Sequence, residues 1–401
     1  MKALCSATKA LRAGRGLGRR RKMLGVKHTR EFLNALFGLD MHAARIASLA
    51  NGVAGVLAAS VLSIHAIGQA YALLAGIKAK SGIKQIDRLL SNAGVEVAAV
   101  QKRWVEFVVG ARTQIVVALD WTEFDDDDQT TLCAYLLTRH GRATPLVWKT
   151  VRKSELAGGR NEQEDKLLER LRQYIAESVQ VTIVADRGFG DQKRYEQIRT
   201  LRFDYIIRFR QDILLTDQFG EQRPAIEWLH PSGRARMLKK LAVTADCYIP
   251  PAIVLVHDKR MKESWCIATS REDLTASEVV RLYGRRFSIE ETFRDTKDLH
   301  FGMGLKATHI TQPERRDRML LLVAMAHALL TLLGAASEAT GMDAYLKANT
   351  VKRRTHSLFR QGSYWYQAIP NMRQDWLRTL MTAFDRIVRQ HAVFQEAFGV
   401  L

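Results

Sequence analysis

Two aspartates stand in matching places along the chain: Asp120 directly follows the apolar run IVVAL, and Asp186 directly follows VTIVA. Short apolar runs rich in β-branched residues predict buried strands. An acid at the end of such a strand lies on the rim of its sheet, where α/β folds place ligands and catalysis. Taken alone, either aspartate reads as a turn or helix cap; two of them on one rim read as a site. A third carboxylate comes from RLYGRRFSIEETFRDTKD, residues 281–298, which the spacing predicts to be one helix. Tyr283, Arg286, Glu290 and Lys297 then fall within about 60° of one another at about 100° per residue. That face presents a phenol, a guanidinium, a carboxylate and an ammonium in a row, with Glu291 about 100° away from Glu290. The plain alternative is a solvated helix laced with salt bridges.

Three carboxylates on one rim repel one another, and a divalent cation is the usual means of holding them together ionised. Asp120, Asp186 and Glu290 are therefore candidate metal ligands and catalytic groups. Phosphodiester cleavage uses such a site: one ion activates the attacking water or 3′-hydroxyl, and a second stabilises the leaving oxygen. Arg286 suits a phosphate as a bidentate fork and Lys297 as a point charge.

The elements that must position these groups are legible in outline. Residues 31–100 read as helices, with Ser81 capping a helix to Asn92 and Gly76 before it, as in a helix-turn-helix unit. From about residue 103 strands appear: Ile115 to Leu119, a hairpin of Thr131 to Leu137 and Pro145 to Thr150, then Val181 to Ala185 and Tyr205 to Arg210. Asn161 and Glu164 suggest a capping box for a helix to about Ser178, and Asp191 to Leu201 reads as another helix. Strands alternating with helices predict an α/β fold, a mixed sheet covered by helices. Residues 211–272 hold short strands with polar or proline-bearing connections and read as an all-β insertion; helices resume near Ala276. The expected division is a basic arm and helical domain over 1–100, a catalytic domain over 101–340, and a helical C-terminal region over 341–401.

Charge narrows the partner. Lys and Arg number 61 against 42 Asp and Glu, giving a net +19 and a pI near 9.9. A balance this basic attracts polyanions, nucleic acid first among them. Cys5, Cys133, Cys247 and Cys266 form no CxxC pair, which argues against a zinc finger or disulfide scaffold and suits a reducing cytoplasm. The apolar stretches Met319 to Ala336 and Ile46 to Leu62 read as buried helices, so no membrane partner is expected. Asp125 to Asp128 reads as a solvated turn. Gly14, Gly16 and Gly18 follow no strand and do not make a dinucleotide site. Lys352 to Tyr366 mixes cations with aromatics, a composition suited to phosphate contact and base stacking or to a loop on the core.

The spacing Y-x2-R-x3-E-x6-K at Tyr283, Arg286, Glu290 and Lys297 resembles the signature of bacterial insertion-sequence DDE transposases of the group numbered four. VVALDWTEF around Asp120 and VADRGFGD around Asp186 are similar to that family's two aspartate motifs, and the resemblance runs over about residues 80–340. It implies a ribonuclease-H-like catalytic fold and two Mg2+ or Mn2+ ions. It also implies cut-and-paste transposition through DNA hairpins at the transposon ends, with terminal inverted repeats and target DNA as partners. The place of action would be the bacterial cytoplasm, at the nucleoid. In such enzymes a tryptophan on the β-insertion stacks on a flipped base, and Trp265 resembles it in position; the alternative is a core tryptophan. The apolar stripe of Asn371 to Gly399 either packs on the chain's own core or makes the homodimer contact that the resemblance implies for a paired-end complex. Two other readings stand beside these: a transposase-derived DNA-binding protein without cleavage, and another ribonuclease-H-like nuclease.

Overall fold

The computed structural model describes residues 25–243, 248–300 and 302–389. The basic leader before Gly25, Cys5, Cys247, the glycines at 14, 16 and 18, and the His391 and Phe394 end of the C-terminal stripe lie outside those residues.

Among the described residues five helices come first: α1 (Val26–Phe37), α2 (Ala43–Ala59), α3 (Ile64–Ala75), α4 (Ala79–Ser91) and α5 (Val97–Val109). The turn between α3 and α4 is made by Gly76, which is left-handed (φ +71°). The two helices cross at Gly68 and Gly82, where an added Cβ on either would collide with backbone of the other helix. Ser81 is not the cap of α4: the helix starts two residues earlier, after Lys78.

The sheet follows. Strands β1 (Gln114–Phe124), β2 (Gln129–Leu136) and β3 (Thr144–Arg152) form an antiparallel meander, and β4 (Gln180–Ala185) and β5 (Asp204–Phe209) lie parallel to β1. Between them run α6 (Arg160–Tyr174) and α7 (Gln192–Thr200), the latter capped by Asp191. Central strands with near-continuous apolar burial are what a sheet covered on both faces requires.

The stretch 211–272 contributes strands only, with one short 3-10 turn, among the described residues: β6 (Leu214–Thr216), β7 (Gln222–Pro224), β8 (Arg236–Leu238), β9 (Ala242–Val243), β10 (Ala252–Val256) and β11 (Trp265–Thr269). It does not stand apart. β11, β10 and β8 add to the β5 edge, giving an eight-stranded sheet in the order β3-β2-β1-β4-β5-β11-β10-β8, and β7-β6-β9 make a small separate sheet. Every residue of β10 and all but Trp265 of β11 are buried, so an isolated hairpin would leave both in water.

Five more α-helices follow among the described residues: α8 (Ala276–Gly284), α9 (Phe287–Lys297), α10 (Pro313–Ala339) and, after a loop, α11 (Leu358–Ala368) and α12 (Gln374–Arg389). The helix expected over 281–298 is broken: Arg285 and Arg286 keep helical dihedrals but form a turn between α8 and α9. α10 is long and apolar enough to cross a membrane, yet its most apolar window is 94% buried inside this fold. It is the shared core, packed by α2, α4, α5, α11, α12 and β3. Gly334 on α10 and Gly362 on α11 let the two helices meet backbone to backbone, with the Leu330 and Leu358 carbonyls where side chains would otherwise be.

Two further expectations change. Gly159, not Asn161, precedes α6 as its cap, and Glu164 does not close a capping box because its carboxylate is drawn into the protein. The stripe on α12 is spent on the chain's own core as far as Ile387: Leu377, Leu380 and Phe384 are buried, and Trp376 packs against Tyr345 and Trp365. Of the two readings of the stripe, these positions follow the one in which it packs on the chain's own core.

Candidate active site

Register brings the two aspartates together. β1 pairs with β4 in parallel as far as Leu119 opposite Ala185, so Asp120 and Asp186 are the next residues of neighbouring strands, where that pairing ends. β1 itself runs on to Phe124, because β2 continues to pair with it on the other side. Asp120 Oδ1 accepts the Trp121 amide at 2.9 Å. Asp186 caps a one-turn 3-10 helix, its Oδ1 accepting the Gly188 amide at 2.8 Å.

Glu290 reaches this rim from α9 through a neighbour. Arg286, almost fully buried, donates from Nη1 to Asp120 Oδ2 at 3.1 Å and from Nη2 to Glu290 Oε1 at 2.8 Å. Burial pushes the Asp120 carboxyl up to about 6; Arg286 works against that rise, and the charges of Asp186 and Glu290 add to it. Asp120 thus feels both other carboxylates. Burial works against the Arg286 charge too, but Tyr283, Asp120, Glu290 and Asp186 outweigh it and hold the guanidinium above its ordinary range.

The remaining residues singled out in the sequence fall around this group in different ways. Lys297 donates to Thr122 Oγ1 at 2.9 Å and to the Glu123 carbonyl at 2.6 Å, so it clamps α9 to the end of β1. Burial, ahead of its neighbours' charges, holds its pKa below the usual lysine range. Tyr283 is buried at 1% exposure and turned inward, edge-on to Trp265 at 4.8 Å. Trp265 is half-buried and also tilts against Phe287 at 6.0 Å. Phe287, 41% exposed and under the Arg286 guanidinium at 5.0 Å, is the aromatic that faces solvent here.

Sequence reasoning missed the supports. The indole of Trp121, next to Asp120, donates to Glu164 Oε1 at 2.7 Å, and Arg194 donates to the other oxygen at 2.8 Å. Both charged partners are nearly inaccessible, at 2% and 3% side-chain exposure. No local pattern announces this pair; Glu164 only looks like a cap. Arg208, a cation next to the end of β5, pairs with Glu263, which Arg187 beside Asp186 also approaches at 3.7 Å. The acidic turn Asp125 to Asp128 is not wholly solvated: Asp127 is tied to Arg316, at the start of α10, and Arg316 lies 3.8 Å over the Phe124 ring.

Among the described residues no three His, Cys, Asp or Glu side chains converge on one point closely enough to hold a metal ion. The donor chemistry nevertheless fits a hard divalent cation: the oxygens of Asp120, Asp186 and Glu290 share one field, and a buried positive group already stands between two of them. Arg286 fills the neutralising role in this arrangement, so an ion shared by Asp120 and Glu290 requires the guanidinium to give way.

Residues 154–329 match the family model of the transposase DDE domain, a stretch that includes Asp186 and Glu290 and begins after Asp120. The match supports a DDE transposase, a class that acts on DNA and generally uses divalent metal ions. A comparison with curated proteins found no match.

Proposed function

We propose that this protein is an insertion-sequence transposase that cleaves and rejoins phosphodiester bonds at the transposon ends, cut-and-paste through hairpin ends, on a ribonuclease-H-like core. The carrying observation is the rim itself: Asp120 and Asp186 at adjacent strand ends, joined to Glu290 through Arg286. The order β3-β2-β1-β4-β5, with β1, β4 and β5 parallel, supports the ribonuclease-H-like reading.

In this reading Asp120, Asp186 and Glu290 hold two Mg2+ or Mn2+ ions, which supply activation of the attacking oxygen and charge stabilisation at the leaving one. The chain's own groups do the rest. Asp120, carrying a carboxyl pushed up to about 6, is ionised for the greater part at neutral pH and gains further from any cation brought near it. Arg286 turns from the carboxylates to a phosphate oxygen, which its planar fork fits. Lys297 keeps α9 in register with the β1 end, and Phe287 and Trp265 offer ring faces beside the cut position. Two protomers and two ends make up the working complex. Residues 1–100 supply end recognition, 101–340 catalysis and 341–401 the helical C-terminal region.

The test uses the DNA that flanks the gene on both sides, incubated with the full chain and Mg2+ or Mn2+. Cleavage at terminal inverted repeats with a hairpin product on a denaturing gel is expected. Alanine at Asp120, Asp186 or Glu290 should abolish it while binding persists. Binding without any cleavage by the wild type would leave a transposase-derived DNA-binding protein. Cleavage confined to RNA–DNA hybrids or branched DNA would leave another nuclease.

A further inference from the structure

α8 and α9 have a second charged side. On α8, Tyr283 points into the protein; Arg281, and Arg285 in the turn just after the helix with helical dihedrals, are each two residues away and lie about 200° round the axis from it. On α9, Ser288 and Thr292 contact the β2–β3 turn: the Ala143 amide donates to Thr292 Oγ1 at 3.0 Å and lies 3.4 Å from the Ser288 carbonyl. Those positions are likewise about 200° from Glu290. The same turn carries Arg139, exposed. Arg139, Arg281 and Arg285 therefore gather on the side of α8 and α9 turned away from the carboxylate rim.

The acids around them are already taken. Asp295 and Glu291 pair with Arg142, Glu291 also with Arg294, and Glu338 with Arg354. Glu278, the nearest acid on α8, is engaged in the Thr275 capping box. Among the described residues none of the three arginines forms an ion pair. Burial, then the charges of Arg139 and Arg281, hold the Arg285 guanidinium below its ordinary range. The positive strip continues: Arg354 donates to the Arg139 carbonyl at 3.5 Å, and exposed Lys352 and Arg353 precede it. Arg360 lies over the part-exposed Tyr364 ring at 5.5 Å, next to His356.

Resting on the reading above, we infer that Arg139, Arg281 and Arg285 form a duplex-DNA backbone site on the far side of α8 and α9 from the cut position. Guanidinium forks that form no ion pair among the described residues suit phosphate oxygens, and their placement on separate elements along an extended strip suits a polyanion more than a small ion. The site holds DNA that is not being cut and fixes its direction across the enzyme.

The test compares the full chain with the R139Q/R281Q/R285Q variant for affinity to a duplex of about 30 base pairs over about 50–300 mM salt. Each lost phosphate contact lowers the slope of log affinity against log salt by about 0.9, so a decrease of about 2–3 is expected. Single-turnover cleavage of the flanking-DNA substrate at saturating protein should stay within a few fold of wild type. An unchanged slope overturns the site, and so does loss of cleavage at saturation, which would put the arginines in the cutting machinery. A variant that loses binding to anionic vesicles but keeps the duplex slope assigns the strip to a membrane and overturns it also. A wild type without salt dependence fails the DNA reading as a whole, a result distinct from these. Should the triple variant not fold, Arg281→Gln alone, at an exposed position, should lower the slope by about 1.

Discussion

Arg286 and Asp120 lie 166 residues apart in sequence and are joined by a hydrogen-bonded ion pair of 3.1 Å, with the other guanidinium nitrogen on Glu290. A cation of the chain itself thus sits where neighbouring carboxylates need one. Arg286→Gln should destabilise the protein by about 1–3 kcal/mol in EDTA, since Asp120 loses its counter-charge inside the fold. Added Mg2+ should then raise the melting temperature more in the variant than in the wild type. Thermal melts with and without the ion check both parts; equal responses would mean that Arg286 and the ion do not compete.

Asp120 sets a pH signature of the opposite sign from an ordinary paired carboxylate. Its carboxyl rises from 3.8 to about 6 in the fold, so the native state binds the proton more tightly than the unfolded chain. Stability from this group is present below pH 4 and is lost as pH rises through 6, by at most about 3 kcal/mol. Asp120→Asn removes the titration. The difference in melting temperature, variant minus wild type, should therefore grow from pH 4 to pH 7 and then level off. A difference that shrinks over this range would contradict the raised carboxyl.

The buried Glu164–Arg194 pair should be costly to halve. Glu164→Ala leaves Arg194, among the described residues, with only Asp165 as acidic partner and frees the Trp121 indole, for a loss of about 3–5 kcal/mol in urea unfolding. Because Trp121 adjoins Asp120, cleavage should fall further than stability alone explains when measured well below the melting temperature. Full cleavage activity there would make the pair purely structural.

Gly362→Ala tests the helix crossing. A methyl at this position meets the Leu330 carbonyl, which cannot move without shifting α10. Overpacking of this kind costs about 1–3 kcal/mol, whereas Gly159→Ala, with open surroundings, should change little. Chemical denaturation of the two variants side by side measures the contrast.

Much of the rim was readable because it depends on strand ends. IVVAL and VTIVA are unambiguous buried runs, and the acids behind them fall on the rim wherever the strands pair in parallel. Helical spacing also placed Arg286 beside Glu290. What periodicity could not reveal was direction and depth. A strict rod from 281 to 298 puts Tyr283 and Lys297 on the exposed face, but the turn at Arg285 and Arg286 lets Tyr283 turn inward, and Lys297 finds the β1 carbonyl of Glu123 instead of open rim. The Glu164–Arg194 pair joins residues 30 apart on two helices, so no local signal exists for it. The joining of β10 and β11 to the main sheet is likewise a non-local choice, made by the free edge of β5.

The position of α10 bears on how the chain is made. Gly52 on α2 packs against Leu322 on α10, about 270 residues later, and Leu89 on α4 meets the same site. Helices at the N-terminal end therefore leave the ribosome long before their partner exists. At about 5–20 residues per second, their apolar faces wait exposed for tens of seconds. A host that slows synthesis ahead of α10, or lacks holding chaperones, would lose much of the protein to aggregation before any DNA is met.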